Sequence, residues 1–364
     1  MARKHNVSRR GTIVDYLSVS SRLKDNPLGD PHERVTPVYL PAEYDDTRRR
    51  QRRYPVLFDL VGYTGSGHSH TNWKNFEESV PEKLDRLIEE GKMPPCIVVF
   101  PDCFTALGGN QYINSSAVGA YADYLTRELI PQIDTEFRSK ADREHRACFG
   151  KSSGGYGAIV HGMLYSRYWG AIGNHSGDCY FDFVYRSDWP AVLTTLQRFA
   201  APELRAGKQK PPGVMQRSGR DDGRIARFLE YVWTQTQLSG SDITALMLIC
   251  MSATYDPDPQ APLGFRVPYD LHTGELIERR WQRWLNHDPL IMLGKHASNL
   301  KKLKGIYIDC GWRDQFHIHF GTRQLSRALS KHRVEHRYEE FDGTHSGIDH
   351  RMDISLPFLA RCIR

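Results

Sequence analysis

From residue 54 to about residue 175, short apolar runs alternate with amphipathic stretches, and no other feature of the chain restricts its fold so strongly. Residues 54–61 (YPVLFDLV) and 96–100 (CIVVF) are near-continuous apolar runs, the pattern of strands buried on both faces. Helical spacing follows each of them, at residues 80–90, closed by Gly91, and at residues 117–137. A short strand at 146–149, a helix at 154–165 and a weaker strand at 169–174 continue the series, while residues 36–40 read as an edge strand ahead of it. Strands joined by helical crossovers make a parallel sheet, because parallel neighbours need a long connection.

The alternation then stops. Residues 179–300 are rich in helix formers and aromatics, carry loops such as 256–262 (DPDPQAP), and hold no clear buried strand. It resumes with a strand at 305–309, a helix at 320–331, a strand at 335–341 and a last helix ending near Arg361. The pattern predicts an α/β fold with a mostly parallel sheet and flanking helices, interrupted by a helical cap. Its parts are residues 1–178 and 303–364 for the core and 179–302 for the insertion. Trp189, Trp233, Tyr255, Phe265, Trp281 and Trp284 are many large aromatics for a segment without a sheet. Some must pack on the core, and the rest are expected to face a cleft.

At 364 residues the chain exceeds a typical single domain, which fits one large domain carrying an insertion. Hydrophobic residues at 40% and charged residues at 25% describe a globular protein, and a net charge of +6 gives no reason to expect nucleic acid. The arginines at 48, 49, 50, 52 and 53 read as a solvated loop before a strand. Seven cysteines without a C-x-x-C pair argue against both a secreted disulfide framework and a zinc ribbon. No apolar segment follows the polar residues 2–10, and the longest apolar run, 245–253, is too short to span a bilayer. The expectation is a soluble, cytoplasmic protein without membrane or nucleic-acid partners, and a homo-oligomer is left open.

Residues 150–154 (GKSSG) fit G-x-S-x-G, between a strand and a helix. A serine at such a turn sits in a strained backbone and projects above the sheet, beside the free N–H groups of the helix start. Glycines are needed at 150 and 154 because side chains there would collide with the turn. A nucleotide-binding G-x-x-x-x-G-K-[ST] loop does not fit, since position 145 is His145. Ser152 is therefore the candidate nucleophile. A hydroxyl needs a base, and the base needs an orienting acid, in the chain order Ser, Asp or Glu, His for parallel-sheet hydrolases. The loop after the strand at 305–309 offers Asp309 and Asp314. Asp314 is preferred because it lies out on the loop, whereas Asp309 is still on the strand. The loop after the last strand offers His345, with His350 as second choice. The oxyanion donors are expected to be the N–H groups of Ser153 and Tyr63, the latter in the Gly-rich loop 62–67 (GYTGSG). His68 and His70 form an H-x-H pair in the same loop. Without partner ligands they read as lining the pocket mouth, near Trp73, and not as a metal site.

Together these segments resemble the esterase D-like "putative esterase" branch of the α/β-hydrolases, which includes S-formylglutathione hydrolases, feruloyl esterases, enterochelin esterases and mycolyltransferases. Residues 150–158 (GKSSGGYGA) are similar to its G-x-S-x-G-G-x-G-A elbow, and residues 54–58 followed by Gly62 to its oxyanion strand and loop. Residues 308–316 (IDCGWRDQF) look like its acid loop, which places the acid on Asp314, and residues 342–346 (DGTHS) like its histidine loop, which places the base on His345. The match covers roughly residues 35–178 and 303–362, while the segment 179–302 is much longer than the family's usual link. The resemblance implies an α/β-hydrolase fold and a serine hydrolase that cleaves small-molecule carboxylic esters through an acyl-serine intermediate, with no metal or organic cofactor. Acyl transfer by the same triad and a catalytically silent binding module are the alternatives.

Overall fold

The apolar runs become the middle of an eight-stranded sheet in the computed structural model, which describes residues 7–201 and 222–364. In chain order the strands are β1 (Thr12–Val19), β2 (Glu33–Leu40), β3 (Val56–Leu60), β4 (Ile97–Val99), the two-residue pair β5 (Asn114–Ser115) and β6 (Gly119–Ala120), β7 (Arg146–Lys151), β8 (Ala171–His175), β9 (Gly305–Gly311) and β10 (Arg337–Phe341). The sheet order is β1-β2-β4-β3-β7-β8-β9-β10, with β5 and β6 paired apart from it. Pairing is parallel from β4 through β10 and antiparallel only where β2 meets β1 and β4.

Successive side chains on a strand point to opposite faces, so the central strands feed two cores. Val56, Phe58, Ile97, Val99, Cys148 and Ile172 pack on one side. Leu57, Val98, Phe149 and Ala171 pack on the other, under the helices Val80–Glu89 and Met352–Cys362. The first of these helices is capped by a reciprocal Ser79–Glu82 box, as a helix starting at the surface requires. The helix Ser153–Leu164 is buried along almost its whole length, because it lies between the sheet and the helix Pro289–Leu300.

One strand departs from the sequence expectation. β1 takes the edge, and β2, expected there, is second. Ile13, Leu17 and Val19 of β1 are exposed, so the segment shows no one-sided burial to betray a strand. The helical region expected at 117–137 runs over residues 121–136, with a π-helical turn at Tyr124–Leu129.

Between β8 and β9 lie the helices Phe181–Val184, Trp189–Gln197, Arg224–Thr234, Gly240–Tyr255, Glu278–Leu285 and Pro289–Leu300. Residues 202–221 of this insertion, like residues 1–6, lie outside the described residues. Asp288 ties the insertion's two ends, accepting from Phe181 N–H at 2.7 Å and capping the helix Pro289–Leu300. The aromatics expected over a cleft are mostly inside the fold. Trp189, Tyr255, Phe265, Trp281 and Trp284 are buried, and Trp284 meets Trp281, Tyr255 and Trp189 at ring-centroid distances of 5.5, 5.4 and 6.0 Å. They belong to the same apolar cluster as Phe58, Cys148 and Ile172 of the sheet, so insertion and sheet share one core. Trp233 is exposed. All seven cysteines are free thiols. No helix among the described residues is long and apolar enough to cross a membrane.

Candidate active site

Ser152 follows the last residue of β7 and precedes the helix Ser153–Leu164, with φ +57° and ψ −122°. A non-glycine residue there carries strain of order 1–3 kcal/mol, which persists only where the surroundings hold it. Here Ser152 N–H donates to the His175 carbonyl of β8 at 3.0 Å, and its own carbonyl accepts from Tyr156 N–H at 2.8 Å. The flanking glycines are sterically required. A Cβ at Gly150 or Gly154 would lie 2.1 or 1.7 Å from the Leu60 carbonyl oxygen of β3. The close approach of strand and helix that makes the turn sharp is thus incompatible with any side chain at either position.

Asp314 and His345 come from the loops after β9 and β10. These adjacent parallel strands end side by side, and Trp312 N–H and Arg313 N–H donate to the carbonyls of Phe341 and Gly343, both at 3.0 Å. Asp314 Oδ1 accepts from Phe316 N–H at 2.9 Å, and Oδ2 lies 2.8 Å from His345 Nδ1. His345 N–H donates to Gln315 Oε1 at 3.0 Å, and the Phe316 ring meets the imidazole edge-on at 4.8 Å. The carboxylate bond assigns the proton to Nδ1 and leaves Nε2 as the basic nitrogen. Both side chains are nearly buried, at 2% and 7% exposure. Ser152, His345 and Phe316 line one cavity of about 540 Å³.

Asp309 is held elsewhere. Its carboxylate takes His175 Nδ1 at 2.7 Å, Arg351 Nε at 2.9 Å and the Tyr307 hydroxyl at 3.0 Å, fully enclosed beneath the strand ends. Burial alone would raise its pKa, but the His175 and Arg351 charges and hydrogen bonds outweigh that and lower it. His350 bonds the Gly347 carbonyl at 3.2 Å and does not line the cavity.

The loop 62–67 closes over the turn. A Cβ on Gly62 would lie 3.5 Å from Ser152 Cβ, so loop and nucleophile are in van der Waals reach. The Tyr63 hydroxyl donates to the Leu107 carbonyl at 2.7 Å, and the ring lies so close over Gly109 that a Cβ there would meet Tyr63 Cδ2 at 2.3 Å. Thr64 N–H donates to the Gly108 carbonyl at 2.9 Å. Tyr63 N–H finds no acceptor among the described residues, and Ser153 N–H, first in its helix, has none within it.

Besides His345, three basic side chains share the cavity wall. His70 Nδ1 lies 2.6 Å from the fully buried Asp59 Oδ2 of β3. Burial pulls the imidazole pKa down, and the Asp59 charge and hydrogen bond overcome it, leaving it raised. Lys74 Nζ bonds Asp349 at 2.6 Å. The ammonium of Lys151, the residue before the nucleophile, forms no hydrogen bond or ion pair with a described residue, and burial lowers its pKa against the fields of Asp349 and Asp314. The expected lining by the H-x-H pair holds for His70. His68 is exposed, and neither His68 nor Trp73 lines the cavity.

A buried polar group behind Ser153 has no sequence motif. Gln111 Nε2 donates to Ser153 Oγ at 2.9 Å and to Asp178 Oδ2 at 3.2 Å, and the Tyr185 hydroxyl donates to the same Asp178 oxygen at 2.6 Å. Burial raises the Asp178 pKa, and the nearby His345 opposes the rise. The helix Gly240–Tyr255 contributes Ile243, Thr244 and Met247 to the cavity lining, a stripe that the aromatic-rich composition of the insertion concealed.

A mostly parallel sheet with helices on both faces, a strained serine between strand and helix, and an Asp–His pair on the following strand-end loops define an α/β-hydrolase. Residues 31–355 match the family described as "Putative esterase", and the chain belongs to that family. Among curated proteins it is 33% identical to an endo-1,4-beta-xylanase/feruloyl esterase of Xylanibacter ruminicola over 144 residues, 39% of this chain and 19% of that protein. It is also 33% identical to an esterase of Mycobacterium tuberculosis over 146 residues, 38% of this chain and 28% of that one. The chain thus spans less than a third of the length of either relative. Among solved structures, a ferulic acid esterase superposes with a TM-score of 0.57 at 18% identity, covering 98% of this chain and 100% of its own. An S-formylglutathione hydrolase from Staphylococcus aureus gives 0.53 at 13% identity, covering 96% and 98%. At these identities the structural likeness speaks for the fold.

Proposed function

We propose that this protein is a serine esterase that hydrolyses carboxylic esters through an acyl-Ser152 intermediate. The observation that carries this reading is the 2.8 Å Asp314–His345 bond facing the cavity that Ser152 lines. In this mechanism His345 Nε2 takes the Ser152 hydroxyl proton as Oγ attacks the ester carbonyl carbon. The negative oxygen of the tetrahedral adduct is received by the N–H groups of Ser153 and Tyr63, where one such donor is worth ~3 kcal/mol. His345 then protonates the leaving alkoxide, and water, deprotonated by the same nitrogen, releases the acid. Asp314 keeps the imidazole in the Nδ1–H tautomer and stabilises its cation. The test is turnover of a short-chain aryl ester, run beside labelling by a fluorophosphonate with mapping of the modified peptide. A modified peptide that excludes Ser152, or an ester left intact, would end this reading.

In the same reading the insertion 179–302 acts as the cap, and its cavity-lining residues set acyl-chain preference. One methylene in an apolar pocket is worth about 1–3 kcal/mol. Met247→Ala is therefore expected to raise the ratio of hexanoyl to acetyl ester kcat/KM by about fivefold, with little change in melting temperature. An unchanged ratio would show that acyl length is read elsewhere.

A further inference from the structure

The cavity wall holds an unmatched positive charge one residue from the nucleophile. Among the described side chains lining the cavity, His70, Lys74, Lys151 and His345 are basic and only Asp349 is acidic. Three of the four are answered. His70 is paired with Asp59 at 2.6 Å, Lys74 with Asp349 at 2.6 Å and His345 with Asp314 at 2.8 Å. Lys151 is not. The two carboxylates whose fields reach it, Asp349 and Asp314, are already bonded to Lys74 and His345. Its place is fixed by the chain, because the last residue of β7 must stand at the mouth of the turn that holds Ser152. The apolar part of the lining includes Ile243, Met247 and Phe316. A partly desolvated ammonium without a counter-ion is unfavourable in the empty site, and an anion supplied by the ligand relieves it.

From this we infer that the site takes esters carrying a second, anionic group such as a carboxylate, with Lys151 as the residue that reads it. This inference rests on the esterase reading of the cavity. Lys151 is a specificity residue in it and takes no part in proton transfer. A charge of this kind selects among esters: the apolar wall accepts the carbon skeleton, and Lys151 rewards a negative charge held within reach of it. The ester bears that charge in its acyl or its alcohol half, and the chemistry of recognition is the same for both.

Two matched pairs of esters separate the halves. 4-Nitrophenyl hydrogen glutarate against 4-nitrophenyl pentanoate places the anion in the acyl half. 4-Carboxyphenyl acetate against 4-carbamoylphenyl acetate places it in the alcohol half. In the wild-type protein the anionic-to-neutral ratio of kcat/KM is expected to reach about tenfold in one pair. Lys151→Gln is expected to bring that ratio to about one, and Lys151→Arg to keep most of it. Melting curves check that the variants fold, and Lys151→Met replaces the glutamine variant if that one does not. Calorimetric titration of the same esters into Ser152→Ala, with and without Lys151→Gln, reads recognition without turnover. Tighter binding of the anionic ester that disappears with Lys151→Gln upholds the inference even if no ester is cleaved, an outcome that would sink only the esterase reading. Equal binding and equal kcat/KM within both pairs, or a preference that Lys151→Gln leaves intact, overturns it.

Discussion

Ser152→Ala is expected to lower ester turnover by at least about 10⁴-fold and to abolish fluorophosphonate labelling while the protein stays folded. Losing the nucleophile of a serine hydrolase removes the covalent route altogether, and the remaining rate comes from the oxyanion donors and substrate binding. The fold should tolerate the change, since the Ser152 contacts with the rest of the chain run through its backbone N–H and carbonyl. Ser152→Gly sharpens the experiment. With φ at +57° the serine is strained, and glycine at this position should raise stability by about 1 kcal/mol while being equally inactive. A protein that is more stable and dead has traded away function in favour of relaxed geometry. Ser153→Ala is the control for its neighbourhood. It keeps the backbone N–H, and Gln111 retains Asp178 as a partner, so a loss of no more than about tenfold is expected. If Ser152→Ala kept activity within tenfold of wild type, the proposed nucleophile would be wrong.

The second large effect separates two aspartates five residues apart. Asp314→Asn is expected to lower kcat by about 10³- to 10⁴-fold, because an amide at that position favours the wrong imidazole tautomer and cannot stabilise the imidazolium. Its melting temperature should change little. Asp309→Asn is expected to do the reverse. That carboxylate is enclosed with His175 and Arg351, and removing one partner of a buried charge pair costs about 3 kcal/mol. The acid limb of stability gives an independent readout. Asp309 has a lowered pKa in the folded protein, so its contribution is present above the unfolded value and is lost as pH falls through the folded one. Wild type should lose stability progressively below about pH 4, and Asp309→Asn should flatten that limb while lowering the whole curve. A catalytically dead, well-folded Asp309→Asn beside an active Asp314→Asn would reverse the proposed roles.

The parts of this fold that local chemistry specifies were legible in the chain. The runs at 54–61 and 96–100 are apolar because β3 and β4 are covered on both faces. The glycines at 150 and 154 stand where the β3 backbone leaves no room for a Cβ. Asp314 and His345 sit on loops whose positions follow from strand order, and the resemblance to a known family named the same two residues. What was hidden depends on contacts between segments far apart in the chain. β1 presents apolar residues to solvent and so carries no burial period. The Asp59–His70 pair joins an aspartate inside an apolar strand to a histidine that reads as half of an H-x-H motif. Behind Ser153, Gln111 meets Asp178 and Tyr185, which come from a stretch far from it in the chain. The insertion's aromatics suggested a cleft lining by their size, yet size favours burial just as well. All of them but the exposed Trp233 became core, and the smaller Ile243, Thr244 and Met247 were left to face the cavity.

The insertion between β8 and β9 also orders events in time. β8 pairs in register with β9, although His175 and Gly305 are separated by the whole helical segment. Everything up to β8, including the turn at Ser152 and the loop at Tyr63, pairs among strands that leave the ribosome early. Asp314 and His345 arrive only after the insertion has been made, and their strands can dock only once the long loop has closed, a step whose entropic penalty grows with loop length. During that interval the exposed flank of β8 is an unpaired parallel edge open to the wrong partner. In refolding from denaturant, recovery of the proposed esterase activity should therefore trail the return of helical signal, because the strands that carry Asp314 and His345 are the last part of the sheet to be laid down. Simultaneous recovery of the two signals would show instead that sheet and insertion condense as one unit.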